Sequence, residues 1–198
     1  MKHWLSNIAC VAAALMLSMS LPACLFDTRP SEPPDDTTED YADLTVPTGV
    51  FDALSRSLSS LTDANYQRAL SQSFVFSPTQ QDSLDQTFAG TTVYEGWNNP
   101  VELQVFQLML SDAKTIDFDY ASSILINKTT FVRFRVAYDL AIVNTAAPTD
   151  TSFYSGVAQW DVRNEGGVWR LTFWDEVENV PGFSSWGFLR GILRLRLS

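Results

Sequence analysis

Histidine and cysteine are nearly absent from this chain. Of 198 residues one is histidine and two are cysteine, and His3, Cys10 and Cys24 all lie at the N-terminal end. Beyond Cys24 neither side chain occurs. That excludes Ser–His and Cys–His nucleophilic catalysis from the main body of the chain. It also excludes a zinc site built on imidazole or thiolate, and a disulfide framework. No metal and no cofactor is expected. Acid–base work is left to carboxylates, Tyr, Lys and Arg. Basic residues are scarce too, 13 against 23 acids, for a net charge of -10. With no basic footprint, nucleic acid is not an expected partner. No apolar run reaches the ~20 residues of a membrane-spanning helix.

What is present at the N-terminus is a targeting pattern. Lys2 precedes an apolar stretch, "IACVAAALMLSM", of signal-peptide length. "LPAC" at 21–24 resembles a bacterial lipobox, with Leu21 at the large apolar position and Ala23 at the small one. Pro22 departs from the commonest residue at its position. The resemblance implies cleavage before Cys24 and acylation of its thiol, and Leu25 in the next position implies outer-membrane sorting. A signal peptide cut near Ala23 that leaves Cys24 free, and an uncleaved anchor, stay open as other readings. Residues 25–45 hold seven acids, one base and three prolines. Such a segment cannot bury a core and is expected to stay extended. The organisation read here is therefore a signal peptide over 1–23, an acidic Pro-rich tether over 24–45 and a domain over 46–198. The localisation expected is the bacterial cell envelope, with the membrane as a partner through lipid on Cys24.

Within 46–198 the apolar period changes along the chain. "TGVFDALSRSLSSL" carries Val50, Leu54, Leu58 and Leu61 at helical spacing, with Thr48 as N-cap. Asp63 is placed to cap a short helix, "ANYQRAL". "FVF" at 74–76 reads as a strand, and "TTVYEGW" at 91–97 as a strand or turn. Asn99, Pro100 and Glu102 read as cap, first helical residue and capping-box partner of a buried helix over "VELQVFQLMLSD". After Lys114 the alternation is two-fold. Ile116, Phe118 and Tyr120 share one face. Val132, Phe134, Val136, Tyr138, Leu140 and Ile142 share another, with Arg133, Arg135 and Asp139 opposite. "NEGG" at 164–167 predicts a hairpin turn into a strand with Trp169, Leu171 and Phe173 on one face. Helices followed by long antiparallel strands make an α+β domain with a curved sheet.

That order of elements, with Gly167, Trp169 and Arg170 forming a Gly-x-Trp-Arg pattern on the last hairpin, resembles the nuclear transport factor 2-like (cystatin-like cone) superfamily over residues 46–180. The chain is similar in particular to bacterial envelope proteins of this fold. The resemblance implies a helical N-terminal part packed in a curved antiparallel sheet, with a ligand pocket at the open end of a cone. In enzymes of the superfamily that pocket holds an Asp, His or Tyr acid–base set. Here it has no His, and fold does not give function.

Candidate pocket-lining residues are Tyr66, Phe76, Tyr94, Trp97, Tyr120 and Tyr138. No catalytic residue is assigned. Trp97, Trp160, Trp169 and Trp174 read first as core or sheet-face residues. Asp175 and Glu176 are neighbours on a strand and point to opposite faces, so they are expected to form a solvated strand end. Arg133 and Arg135 are expected to pair with Asp117, Asp119 or Asp161 across the sheet. The tail "WGFLRGILRLRLS" offers an apolar stripe of Phe188, Ile192 and Leu195, with Leu189 and Leu193 near it, beside Arg190, Arg194 and Arg196. It reads as a terminal helix packed on its own domain, with its arginines complementing the helix C-terminus, ahead of a lipid-binding tail. The function expected is a non-catalytic binding or interaction domain, with a small apolar ligand or a homodimer through the sheet as partners. An isomerase-, cyclase- or dehydratase-like enzyme using carboxylate and tyrosine is the alternative.

Overall fold

The computed structural model describes residues 40–197. The signal peptide, Cys24 and the acidic segment through Glu39 lie outside the described residues. The packed chain begins ahead of residue 46. Ala42 and Leu44 are buried, Ala42 N–H donates to Asn65 Oδ1, and Leu44 C=O accepts from Trp169 N–H. Tyr41 lies under the Arg68 guanidinium, 4.0 Å from its ring centre. The last residues of the expected tether are therefore a strap on the domain. Their apolar side chains outweigh the acidic composition around them.

Two helices come first, α1 (Gly49–Ser60) and α2 (Ala64–Ala69). The i, i+4 row of α1 buries Val50, Leu54 and Leu58, with Phe51 beside it. Each such side chain contributes about 1.5–3 kcal/mol when fully buried. Leu61 ends the helix in the left-handed region at φ 53°. Thr48 and Asp63 stand at the two N-caps without a side-chain capping bond. Strand β1 (Leu70–Ser77) follows, then α3 (Gln80–Ser83) and a 3-10 turn (Gln86–Phe88). Residues 91–97 form turns, not a strand. Helix α4 (Asn99–Asp112) has its cap one residue earlier than the sequence suggests. Asn98 Oδ1 accepts from Val101 N–H, while Asn99 is buried and its side-chain N–H donates to Ser71 C=O.

Four long strands complete the chain: β2 (Ala113–Lys128), β3 (Phe131–Asn144), β4 (Thr151–Glu165) and β5 (Val168–Asn179). The sheet order is β1-β5-β4-β3-β2. β2 to β5 are antiparallel, and β1 joins β5 in parallel, so the sheet is mixed rather than wholly antiparallel. Its concave face carries the expected β3 row, Val132 to Ile142, all buried in the hydrophobic core. Arg133 forms the expected cross-strand pair with Asp161, while Arg135 reaches Glu178.

One register detail alters the sequence-based pattern. β4 and β5 slip between Asp161 and Val162, so Thr172 is an extra residue, and its hydroxyl donates to Asp161 C=O. A bulge flips every later side chain. Trp169 and Leu171 face inward as expected, but Phe173 does not, and Trp174 and Glu176 take the inner face.

The chain closes with α5 (Trp186–Leu195). It packs on its own domain and buries Trp186, Leu189, Arg190 and Leu193, while Phe188, Ile192 and Leu195 of the expected stripe are only part-buried, Phe188 with its ring 5.2 Å from that of Phe88. Gly191 lets it approach closely. A Cβ there would stand 2.6 Å from Phe88 Cζ and would also collide with the Tyr94 hydroxyl. Gly191→Ala is therefore expected to cost about 1–3 kcal/mol by overpacking, read by urea unfolding. A change under about 0.5 kcal/mol, the range of an ordinary surface substitution, would place α5 further from Phe88 than described.

Candidate functional site

The centre of the cone is a charge network, not an open pocket. Arg190 reaches it from the middle of α5 and is 1% exposed; Glu102 from α4 is 1% exposed and Glu176 from β5 is 3% exposed. Arg190 Nη2 donates to Glu102 Oε1 at 2.8 Å, and its Nε lies 3.2 Å from each Glu102 oxygen. Its Nη1 lies 3.8 Å from Glu176 Oε1 and makes no hydrogen bond among the described residues.

Each carboxylate has two further donors. Glu102 accepts from the Tyr66 hydroxyl and from Trp97 Nε1, both at 2.8 Å. Glu176 accepts from the Tyr138 hydroxyl at 2.8 Å and from Trp174 Nε1 at 2.9 Å. The Tyr138 oxygen in turn accepts from Trp186 N–H, at the first turn of α5. Aromatic faces wall the guanidinium: its carbon lies 4.0 Å from the Trp174 ring centre, 4.7 Å from Trp186 and 4.8 Å from Phe76.

A second polar cluster fastens the start of α5. Ser185 accepts from Phe188 N–H as N-cap and donates to Asp82 Oδ2 at 2.6 Å. Asp82 Oδ1 accepts from the Asn179 side chain. Gly187 fits because its neighbours are so near: a Cβ would be 3.1 Å from Asp82 Oδ2, 3.2 Å from Glu176 Cγ and 3.3 Å from Phe76 Cζ.

The electrostatics follow from two carboxylates sharing one guanidinium out of water. Burial pushes the Glu176 carboxyl up to about 7, with Arg190, Tyr138 and Trp174 pulling the other way. Burial alone would lower Arg190, but the Glu102 charge and hydrogen bonds hold it above its ordinary value. Burial, then the Glu102 charge, raises the Tyr66 hydroxyl; burial, then Glu176, raises Tyr138. A carboxyl that titrates near neutrality beside a tyrosine hydroxyl can exchange a proton with a bound molecule. Here Trp174, Trp186 and Phe76 occupy the space such a molecule would need.

Of the candidate pocket residues, Tyr66, Phe76, Trp97 and Tyr138 do converge on one place, around Arg190. Tyr94 stands beside them, its hydroxyl donating to Gly187 C=O at 3.0 Å. Tyr120 is elsewhere, 42% exposed near the end of the sheet and stacked on Phe51. Glu176 is not the solvated strand end expected, because the Thr172 bulge turns it inward. Glu102 is not a capping-box residue, because the cap is Asn98 and Glu102 falls one position past the third helical residue, with its carboxylate turned to Arg190, Tyr66 and Trp97. Arg190 is not a helix-end charge but the centre of the core. A sequence sign of this existed in "WGFLRGIL": Gly187 and Gly191 flank Arg190 on one helical face and mark a close approach.

Among the described residues, clefts of about 270, 300 and 190 Å³ include none of Glu102, Glu176 and Arg190, and Tyr94 lines the first of them. Among the described residues no group of three or more His, Cys, Asp or Glu side chains is placed to hold a metal ion.

The network makes two testable demands. Arg190→Ala leaves two buried carboxylates uncompensated and is expected to cost about 3–5 kcal/mol. Arg190→Met combined with Glu102→Gln and Glu176→Gln is expected to recover most of that loss in denaturant titrations. The second concerns pH. The folded chain keeps a proton on Glu176 between pH 4.5 and about 7 that the unfolded chain releases. Stability from this group is full below the lower value, declines as pH rises, and levels off above the upper one. The slope approaches about 1.4 kcal/mol per pH unit and vanishes in Glu176→Gln. Thermal melts from pH 4.5 to 8 on both proteins check it.

No protein-family model matches the sequence, and no curated protein does. Solved structures do match the fold. A proposed aromatic ring hydroxylase from Novosphingobium aromaticivorans superposes with a TM-score of 0.52 at 12% identity, over 67% of this chain and 85% of that one. A proposed scytalone dehydratase from the same organism gives 0.51 at 11% identity, over 66% and 78%. A conserved protein from Planctomyces limnophilus gives 0.51 at 12% identity, over 65% and 90%. At such identities the likeness speaks to the fold alone. The chain has the cone fold of the nuclear transport factor 2-like and cystatin-like proteins.

Proposed function

We propose that this is a lipid-anchored protein of the bacterial cell envelope, sorted to the outer membrane, whose cone domain works by binding or docking and not by catalysis. The observation that carries the non-catalytic reading is the Arg190 side chain itself. It fills the cone's interior and is matched by Glu102 and Glu176. The anchor rests on "LPAC" at 21–24 and on the acidic, Pro-rich run after it. No helix among the described residues is long and apolar enough to cross a membrane.

A second reading rests on Glu176 and Tyr138. A carboxyl raised to about 7 next to a tyrosine hydroxyl is what an isomerase, cyclase or dehydratase would use. The proposed dehydratase among the fold neighbours is in keeping with it. It requires α5 to leave the cone, which breaks the Glu102–Arg190 pair.

The anchor is tested by growing cells that express the full chain with labelled palmitate. Label is expected on the chain and on its membrane fraction, and is expected to vanish in Cys24→Ala. Label that survives Cys24→Ala, or a wild-type chain without label, would contradict the anchor. The binding mode is tested by native mass spectrometry of the full chain from mild detergent. Protein plus covalent lipid alone is expected. A reproducible small-molecule mass that is lost in Tyr138→Phe would favour the enzyme or carrier reading.

A further inference from the structure

The two ends of the sheet are treated differently. β1 is short, carries a bulge, and is covered by a bridge from Asn98 to Val75 and by the Asn99 side chain on Ser71 C=O. β2 is sixteen residues long and pairs only with β3; among the described residues no backbone hydrogen bond reaches its other edge. Its second half, "YASSILIN" at 120–127, holds no charge, proline or glycine. Tyr120, Ile124 and Leu125 are 42%, 54% and 49% exposed. An open, uncharged, β-prone edge is a template for another strand.

The charges that flank this run specify which strand. Asp117 and Asp119 precede it and Lys128 follows it. A second copy of β2, laid antiparallel about a two-fold axis at Ser122, brings opposite charges together at both ends. The faces agree with this register. Phe118, Tyr120, Ser122 and Ile124 pair with the inward β3 row, Leu140, Tyr138, Val136 and Phe134. Leu125 is an extra residue, so beyond it Ile126 and Lys128 face outward and Asn127 inward. Ser122 then meets its own copy and Ala121 meets Ser123. Tyr120 meets Ile124, an aromatic–β-branched pair formed twice. Once the bulged Leu125 is skipped, Asp119 meets Ile126 and Asp117 meets Lys128, each pair on one face. A slip of one residue would set inward side chains against outward ones.

We propose that β2 is a self-association edge: two copies of this chain join β2 to β2, antiparallel about Ser122, into one continuous sheet. The joint is the edge and not the outer face of the sheet. On that face Arg133 and Arg135 are already paired with Asp161 and Glu178 of their own chain.

The test uses the full chain with Cys10→Ser and Cys24→Ser, so that an added thiol is the only one. Ser122→Cys is expected to give a disulfide-linked dimer within minutes of mild oxidation, with Ser111→Cys, at an exposed position of α4, remaining monomeric. In sedimentation Lys128→Asp is expected to weaken the dimer at least tenfold, and adding Asp117→Lys to restore it. A chain that sediments at its 22.1 kDa monomer mass would overturn the proposal. So would a dimer that is indifferent to Lys128→Asp and that Ser122→Cys fails to cross-link, since its interface would lie elsewhere.

Discussion

Arg190 between Glu102 and Glu176 is the constraint on which the rest of this structure depends. A guanidinium at 1% exposure is tolerable only when its charge is met, and here Nε and Nη2 donate to Glu102 while Nη1 faces Glu176 at 3.8 Å. Meeting that demand fixes three elements at once. Glu102 ties α4, Glu176 ties β5, and Arg190 ties α5. Tyr66 and Tyr138 extend the network to α2 and β3, and Trp97 and Trp174 each donate one further hydrogen bond, to Glu102 and to Glu176. Breaking one member leaves several buried polar atoms unsatisfied, so the network specifies one arrangement rather than merely adding stability.

The same network decides what the cone can do. A cone whose concave face is lined by tyrosines and a carboxyl titrating near 7 has the parts of an acid–base site. In this chain those parts are turned on an internal partner. The hydroxyls of Tyr66 and Tyr138 donate to carboxylates of the network, and the rings that would line a pocket stack around a guanidinium. Asp82 and Ser185 fasten the start of α5, and Gly187 and Gly191 let the helix pack closely along its length. The polar groups of the interior hold the fold together.

Much of the architecture is legible in the sequence because it rests on period. The two-fold alternation of β3, the i, i+4 row of α1 and the glycine pair after Asn164 depend on local rules alone. The site is less legible because it depends on register. Nothing in "RLTFWDEV" marks Thr172 as the extra residue, yet that bulge turns Trp174 and Glu176 inward. Asn98 and Asn99 are both able caps, and tertiary demand from Ser71 chooses between them. Glu102 fits a capping box only if Asn99 is the cap; with the cap at Asn98 its carboxylate is free to meet Arg190, 88 residues away. Four of the six pocket candidates gather in one place: Phe76 and Tyr138 from strands, Tyr66 from α2 and Trp97 from the turn before α4 all point into the core. The arginine that receives them carried no such pattern beyond its flanking glycines.

The central claim is that α5 is part of the core and not a lid over a pocket. Native-state hydrogen exchange of the α5 amides, Leu189 to Leu193, tests it most directly. If Arg190 locks the helix in the cone, these amides exchange only with global unfolding and match the protection of β4 and β5. Exchange many-fold faster than those strands would show α5 opening on its own, and would contradict the account.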